Sequence, residues 1–163
     1  MKLWISGAAL IGALTLGSAV QAADYAVIHL ETVVDAPIDK TWAKVGGYCA
    51  IELWRKAVAP CVMSAGTGEV GSVRKLRPDG SIVEIMVAKT EHSYTYTQPA
   101  STILYHGTLA AEPLPGGKTK LLYTLLYDQA PDGTPEAMAK DRASRTTNFT
   151  DGLATMKAMA EAK

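Results

Sequence analysis

The chain has 163 residues, with 16 basic and 16 acidic side chains and no net charge. That balance gives no electrostatic case for nucleic-acid binding, which calls for a basic patch or stripe. The length suits one domain with a single core, since domains most often run about 100–150 residues.

Residues 1–22, MKLWISGAALIGALTLGSAVQA, open with Lys2 and continue as an apolar run from Leu3 to Leu16. Small residues, Val20 and Ala22, stand where a signal peptidase reads. A membrane anchor needs about 20 predominantly apolar residues, and Ser6, Gly7, Gly12 and Thr15 dilute this run. Residues 1–22 therefore read as a signal peptide, with cleavage after Ala22. The expected mature domain, residues 23–163, has 15 basic and 16 acidic residues once Lys2 is gone. It is expected in the periplasm or outside the cell, with no lasting membrane anchor and no nucleic-acid partner.

Residues 24–35, DYAVIHLETVVD, alternate with period two and predict a strand that places Ala26, Ile28, Leu30, Thr32 and Val34 on one face. The period then lengthens. Asp35 is placed to cap a helix, Pro37 to start it, and Ile38, Trp42 and Val45 to form its apolar stripe, before Gly46-Gly47 ends it. A second short helix is expected from Cys49 to Trp54, stopping before Pro60.

Cys49 and Cys61 are the two cysteines of the chain. Their spacing is too long for the C-x-x-C of a redox pair or the usual C-x2-4-C of a zinc site. His29, His92 and His106 are scattered singly, so no metal set is expected. In an oxidising compartment the simplest expectation is a structural disulfide.

After Pro60 three or four strands are expected up to Thr97, with a turn marked by Gly66 and Gly68. Pro78-Asp79-Gly80 predicts a hairpin between SVRKLR and SIVEIMVA. TILYHGTLAAE and TKLLYTLLYDQ predict the last two strands, with Tyr105 on the first of them. Thr134-Pro135-Glu136 then opens a helix with an N-cap, a proline at the first position and an acid in the first turn. That helix is expected to run to about Ala160, burying Phe149, Leu153, Met156 and Ala160. The resulting order, β-α-α-β-β-β-β-β-β-α, is an α+β class. A curved antiparallel sheet and a long apolar-striped helix each bury the other, leaving a cavity between them.

This pattern resembles the START-like, birch-pollen-allergen-like helix-grip superfamily, in its polyketide cyclase/dehydrase and lipid transport (SRPBCC) branch. The resemblance covers roughly residues 26–160 and is carried by VVDAPIDKTWAKV, GSVRKLRPDGSIVEIM, ILYHGTL and the C-terminal helix. It implies a helix-grip fold, with two short helices after the first strand and a hydrophobic cavity for a lipid, a sterol or an aromatic or polyketide-like molecule. Arg74 and Glu84 match a recurrent Arg and Glu on the hairpin strands, and Tyr105 matches a tyrosine that often lines the cavity. The cysteine pair flanking Trp54 is similar to an exported bacterial subgroup in which His-Pro commonly follows the Trp. Here Arg55-Lys56 follow it, so no role resting on that His carries over.

Glu84 lies inside the apolar run IVEIMVA, on a face expected to carry Ile82, Met86 and Ala88. A buried carboxylate needs a partner. Arg74, across the hairpin turn, would make either a cross-strand ion pair or, with Glu84, a polar anchor for a ligand. Tyr94 and Tyr96 share one strand face, as do Tyr123 and Tyr127. Tyrosine suits a cavity wall because its ring is apolar and its tip polar, although it also favours strands for packing alone. Arg142 and Arg145 lie near the core-facing stripe of the last helix, placed to rim a cavity mouth or to run out to water.

The candidate ligand-binding set is Arg74, Glu84, Tyr105, Tyr123 and Phe149. No nucleophile elbow, phosphate loop or dinucleotide fingerprint is present, so no cofactor is expected. The expected function is a periplasmic binder or carrier of a hydrophobic small molecule. Two alternatives stand beside it. One is a cyclase- or dehydratase-type enzyme using Glu84, a histidine or Tyr105. The other is an accessory protein that docks on a periplasmic partner through Trp54-Arg55-Lys56.

Overall fold

Seven strands form one antiparallel sheet in the order β1-β7-β6-β5-β4-β3-β2 in the computed structural model, which describes residues 23–162. The expected signal peptide, residues 1–22, lies outside the described residues. The strands are β1 (Tyr25–Val34), β2 (Cys61–Ala65), β3 (Val73–Leu76), β4 (Ile82–Thr90), β5 (Ser93–Thr97), β6 (His106–Leu114) and β7 (Lys118–Asp128). Helices α1 (Ile38–Val45) and α2 (Ile51–Trp54) lie between β1 and β2, and α3 (Pro135–Glu161) closes the chain. This is the helix-grip fold: the sheet curves round α3, which packs against β1, β7, α1 and α2.

Period-two alternation decides the inner face of the sheet. Ala26, Ile28 and Val34 of β1 are buried, while Tyr25, Val27 and Val33 are exposed. The stripe of α3 meets that face, with Phe149, Gly152, Leu153, Met156 and Ala160 buried. The ends of α3 are satisfied from outside its own ladder. Thr134 Oγ1 accepts from Ala137 N at 3.2 Å, and Lys44 of α1 donates to the carbonyls of Met159 and Ala162 at 3.0 and 2.6 Å. A cation on the last carbonyls also complements the negative end of the helix.

Four details differ from the periodic reading. Asp35 does not cap α1; its carboxylate pairs with Lys118 at 2.7 Å instead, and that cation holds its carboxyl below the usual range. The second helix is shorter than expected, a single turn followed by a 3-10 turn at Lys56–Val58. Ala88 is exposed rather than on the face of Glu84, because a bulge between Met86 and Ala88 shifts the alternation. Tyr105 precedes β6 rather than lying on it, since Leu104 turns the backbone into the left-handed region at φ 48.

Cys49 and Cys61 are bridged, with their Cα atoms 5.4 Å apart. The bond ties the turn before α2 to the first residue of the edge strand β2, where the Cys61 amide also donates to Glu52 Oε2 at 2.7 Å. Closing a loop of this order stabilises by about 3 kcal/mol in the chain-entropy model. A Cys49→Ala/Cys61→Ala variant is expected to lose about that much in urea unfolding. Added reductant should move the parent protein toward the variant's midpoint and leave the variant unchanged.

Candidate ligand-binding site

Arg74 on β3 and Glu84 on β4 occupy directly opposed register positions, so both side chains enter the same face of the sheet. They are 0 and 2 % exposed. Arg74 donates from Nε to Glu84 Oε2 at 2.6 Å, and its Nη2 lies 2.5 Å from the same oxygen. The other carboxylate oxygen accepts from Gln98 Nε2 at 2.9 Å, and Arg74 Nη1 donates to the carbonyl of Tyr48. Burial works against the Arg74 charge, but the neighbouring Tyr94 and Glu84 more than offset it and hold its pKa above the ordinary range.

Aromatic rings enclose this pair. The Arg74 guanidinium lies 4.2 Å from the Tyr48 ring and 4.9 Å from the Tyr96 ring. Tyr94, Tyr96, Tyr123 and Tyr127 all project from the inner face and are buried, and Tyr105 is buried beside them despite lying outside the strand. Tyr96 and Tyr123 join through their hydroxyls at 2.8 Å. Gly107, opposite Tyr96, makes room for that ring: a Cβ there would come within 2.4 Å of it. Tyr123 packs on Phe149 of α3 with centroids 4.5 Å apart. The five residues singled out from the sequence thus belong to one continuous cluster.

These side chains are 0–3 % exposed and pack against one another, with the Tyr96 and Tyr105 ring centroids 6.2 Å apart. The space expected to be a cavity between sheet and helix is occupied by tyrosine rings and the ion pair, because large side chains fill the inner face at nearly every strand. A separate pocket of ≈ 340 Å³ lies at one end, lined among others by Trp42, Tyr48, Met86, Lys89 and Tyr94. It reaches Tyr48 and Tyr94, whose rings lie 4.2 and 5.8 Å from the Arg74 guanidinium.

The hydroxyl of Tyr48 is buried and completes no hydrogen bond, whereas the buried Tyr94 hydroxyl faces Arg74 and that of Tyr127 faces Asp141. Burial raises the pKa of these phenols and of Tyr105, Tyr96 and Tyr123, with Tyr127 pushed up to about 12. The folded state therefore holds phenolic protons more tightly than the unfolded chain does. That contribution to stability is complete below an ordinary phenol pKa of about 10 and is lost as pH rises through the folded values. Alkaline titration followed by phenolate absorbance is expected to show these tyrosines ionising only as the fold opens. Ionisation of all the tyrosines near pH ~10 with the fold intact would contradict this.

Other candidates fall elsewhere. His29 contacts Thr124 at 3.1 Å, His92 contacts Asp39 at 3.1 Å, and His106 contacts the Leu104 carbonyl at 2.8 Å. His29 and His106 lie on the outer face of the sheet, and His92 sits in the β4–β5 turn, so none faces the Arg74–Glu84 pair. Trp54 is buried, with its ring centroid 6.0 Å from that of Tyr123, so it cannot present the docking surface expected of Trp54-Arg55-Lys56. Arg142 donates to Gln129 Oε1 at 2.8 Å. Arg145, held by Asp141 at 2.7 Å, stacks 4.3 Å from the Tyr127 ring and 5.4 Å from Tyr105, rimming the cluster. Sequence reasoning left Tyr48 out of the site; its single position in a turn carries no periodic signal.

Among the described residues, no group of three or more His, Cys, Asp or Glu side chains is placed to hold a metal ion, and no helix is long and apolar enough to cross a membrane.

Similar solved structures share this architecture. A Thermobifida fusca protein aligns with a TM-score of 0.70 at 20% identity, over 82% of this chain and 92% of its own. An aromatase/cyclase from Streptomyces sp. R1128 aligns with a TM-score of 0.68 at 18% identity, over 85% and 94%. A START superfamily protein from Mycobacterium smegmatis aligns with a TM-score of 0.63 at 14% identity, over 83% and 97%. No curated protein matches in sequence. The profile of polyketide cyclase / dehydrase and lipid transport proteins matches residues 26–161, almost the whole described chain, and the protein belongs to that family.

Proposed function

We propose that this protein is an exported, periplasmic binder or carrier of a hydrophobic small molecule, lipid-like, sterol-like or aromatic, held between the sheet and α3. The observation that carries this reading is the shell of buried tyrosines around the charged Arg74–Glu84 pair, in which the Tyr48 hydroxyl completes no hydrogen bond. A buried polar group without a partner costs about 1–3 kcal/mol, so stability alone does not account for the Tyr48 hydroxyl. A ligand with an apolar body and a few polar groups would satisfy that hydroxyl and lie against the rings of Tyr105, Tyr123 and Phe149. Because these rings fill the interior, binding displaces side chains instead of filling a void. The family and its fold supply the general class of ligand.

Organic extraction of protein purified from the native periplasm, followed by mass spectrometry, is expected to release a stoichiometric apolar compound. No extracted compound, together with no binding of a hydrophobic fluorescent probe, would overturn the proposal.

A cyclase- or dehydratase-type reaction is the second reading, favoured by the likeness to the Streptomyces aromatase/cyclase. It assigns proton transfer to Glu84 or Tyr105. Glu84→Gln and Tyr105→Phe variants that fold and bind but lose turnover would support it, and full turnover in both would end it.

A further inference from the structure

Three cations converge on a second pocket of ≈ 360 Å³ between the segment after α2 and the middle of α3. Arg55 and Lys56 follow α2, and Arg77 leaves β3 at the hairpin turn. Asp151 and Gly152 of α3 form the opposite wall. Among the described residues none of the three cations has an ion-pair partner, and Asp151 pairs with none of them. Three positive charges thus face one negative charge around a concave space.

Two features argue that this charge is not incidental. Arg77 holds a left-handed backbone conformation, φ 70, which glycine adopts without strain and arginine does not. Stability by itself gives no reason for arginine there. Arg55 also sits at a boundary: it lines the pocket, and its guanidinium lies 4.2 Å from the ring of Phe149. Phe149 in turn packs on Tyr123, whose hydroxyl reaches Tyr96 beside Arg74. The cationic pocket therefore adjoins the aromatic interior through one shared side chain.

We infer that the ligand is an acidic amphiphile. Its oxyanion head, a carboxylate or phosphate, is held by Arg55, Lys56 and Arg77, and its apolar body enters past Phe149. Guanidinium groups match oxyanions with paired N–H donors, and the lysine adds a mobile point charge. This inference rests on the binding function proposed above and specifies the ligand's charge and orientation.

The test is calorimetric titration of the full mature chain with dodecanoate, dodecyl phosphate, dodecanol and inorganic phosphate, below micelle-forming concentrations. Both acidic amphiphiles are expected to bind about tenfold tighter or more than the alcohol, with the advantage shrinking in raised salt. A Lys56→Gln/Arg77→Gly variant is expected to lose most of that advantage while its thermal midpoint holds or rises, since glycine relieves the backbone at position 77. Equal binding of dodecanol overturns the inference and leaves the proposed function standing. Failure of all three amphiphiles also overturns the inference, and the proposed function is then decided separately by extraction and probe binding. Inorganic phosphate binding as tightly as dodecyl phosphate overturns the link between pocket and interior, and an anion preference that survives in the variant overturns the location.

Discussion

Glu84→Ala is expected to destabilise the protein by about 3–5 kcal/mol, the cost typical of leaving one member of a buried ion pair uncompensated. Arg74 is fully buried, and its nearest other partners are a backbone carbonyl and tyrosine rings. None of these carries a compensating negative charge. Converting both partners to apolar residues, as Arg74→Met/Glu84→Leu, is expected to recover much of the loss, because replacing a whole buried pair by packed apolar groups is often neutral. Recovery stays incomplete because the Tyr48 carbonyl loses its donor. Urea unfolding of Arg74→Met, Glu84→Leu and the double variant forms a cycle that checks this. A Glu84→Ala midpoint equal to the parent's would show that the carboxylate does not sustain the buried guanidinium.

Phe149→Ala is expected to cost about 3–5 kcal/mol, the range for removing a large buried aromatic side chain. Its ring lies between Tyr123 on one side and Arg55 on the other, so truncation opens a cavity where sheet, α2 and α3 meet. The surrounding rings are rigid and close the gap poorly. Phe149→Leu keeps much of the apolar volume but removes the aromatic face beneath Arg55, and a smaller loss is expected. Thermal unfolding of the pair separates the packing contribution from the cation–π contact. Equal midpoints for Phe149→Ala and the parent would show that α3 repacks without this contact.

The order of elements was legible because it follows local periods. Alternation in residues 24–35, the Pro78-Asp79-Gly80 turn and the Thr134-Pro135-Glu136 start each act within a few residues, and each lies where expected. The Arg74–Glu84 pairing was legible for a related reason: a short hairpin places its opposed residues by counting from the turn. The departures came from interactions between distant segments. Lys118 of β7 draws Asp35 away from α1, and the bulge in β4 turns Ala88 outward.

The sequence by itself determined the class of fold, the alternating faces of β1, the buried stripe of α3 and the opposition of Arg74 and Glu84, since these depend on period and spacing along the chain. Only the tertiary structure decided that the cluster fills the interior, that Tyr48 closes over Arg74, and that Trp54 is buried against Tyr123. It also decided that Arg55 and Arg145 stand on Phe149 and Tyr127 at the rim. Whether side chains leave a cavity or occupy it depends on how their volumes meet across strands far apart in sequence, and no local period carries that information.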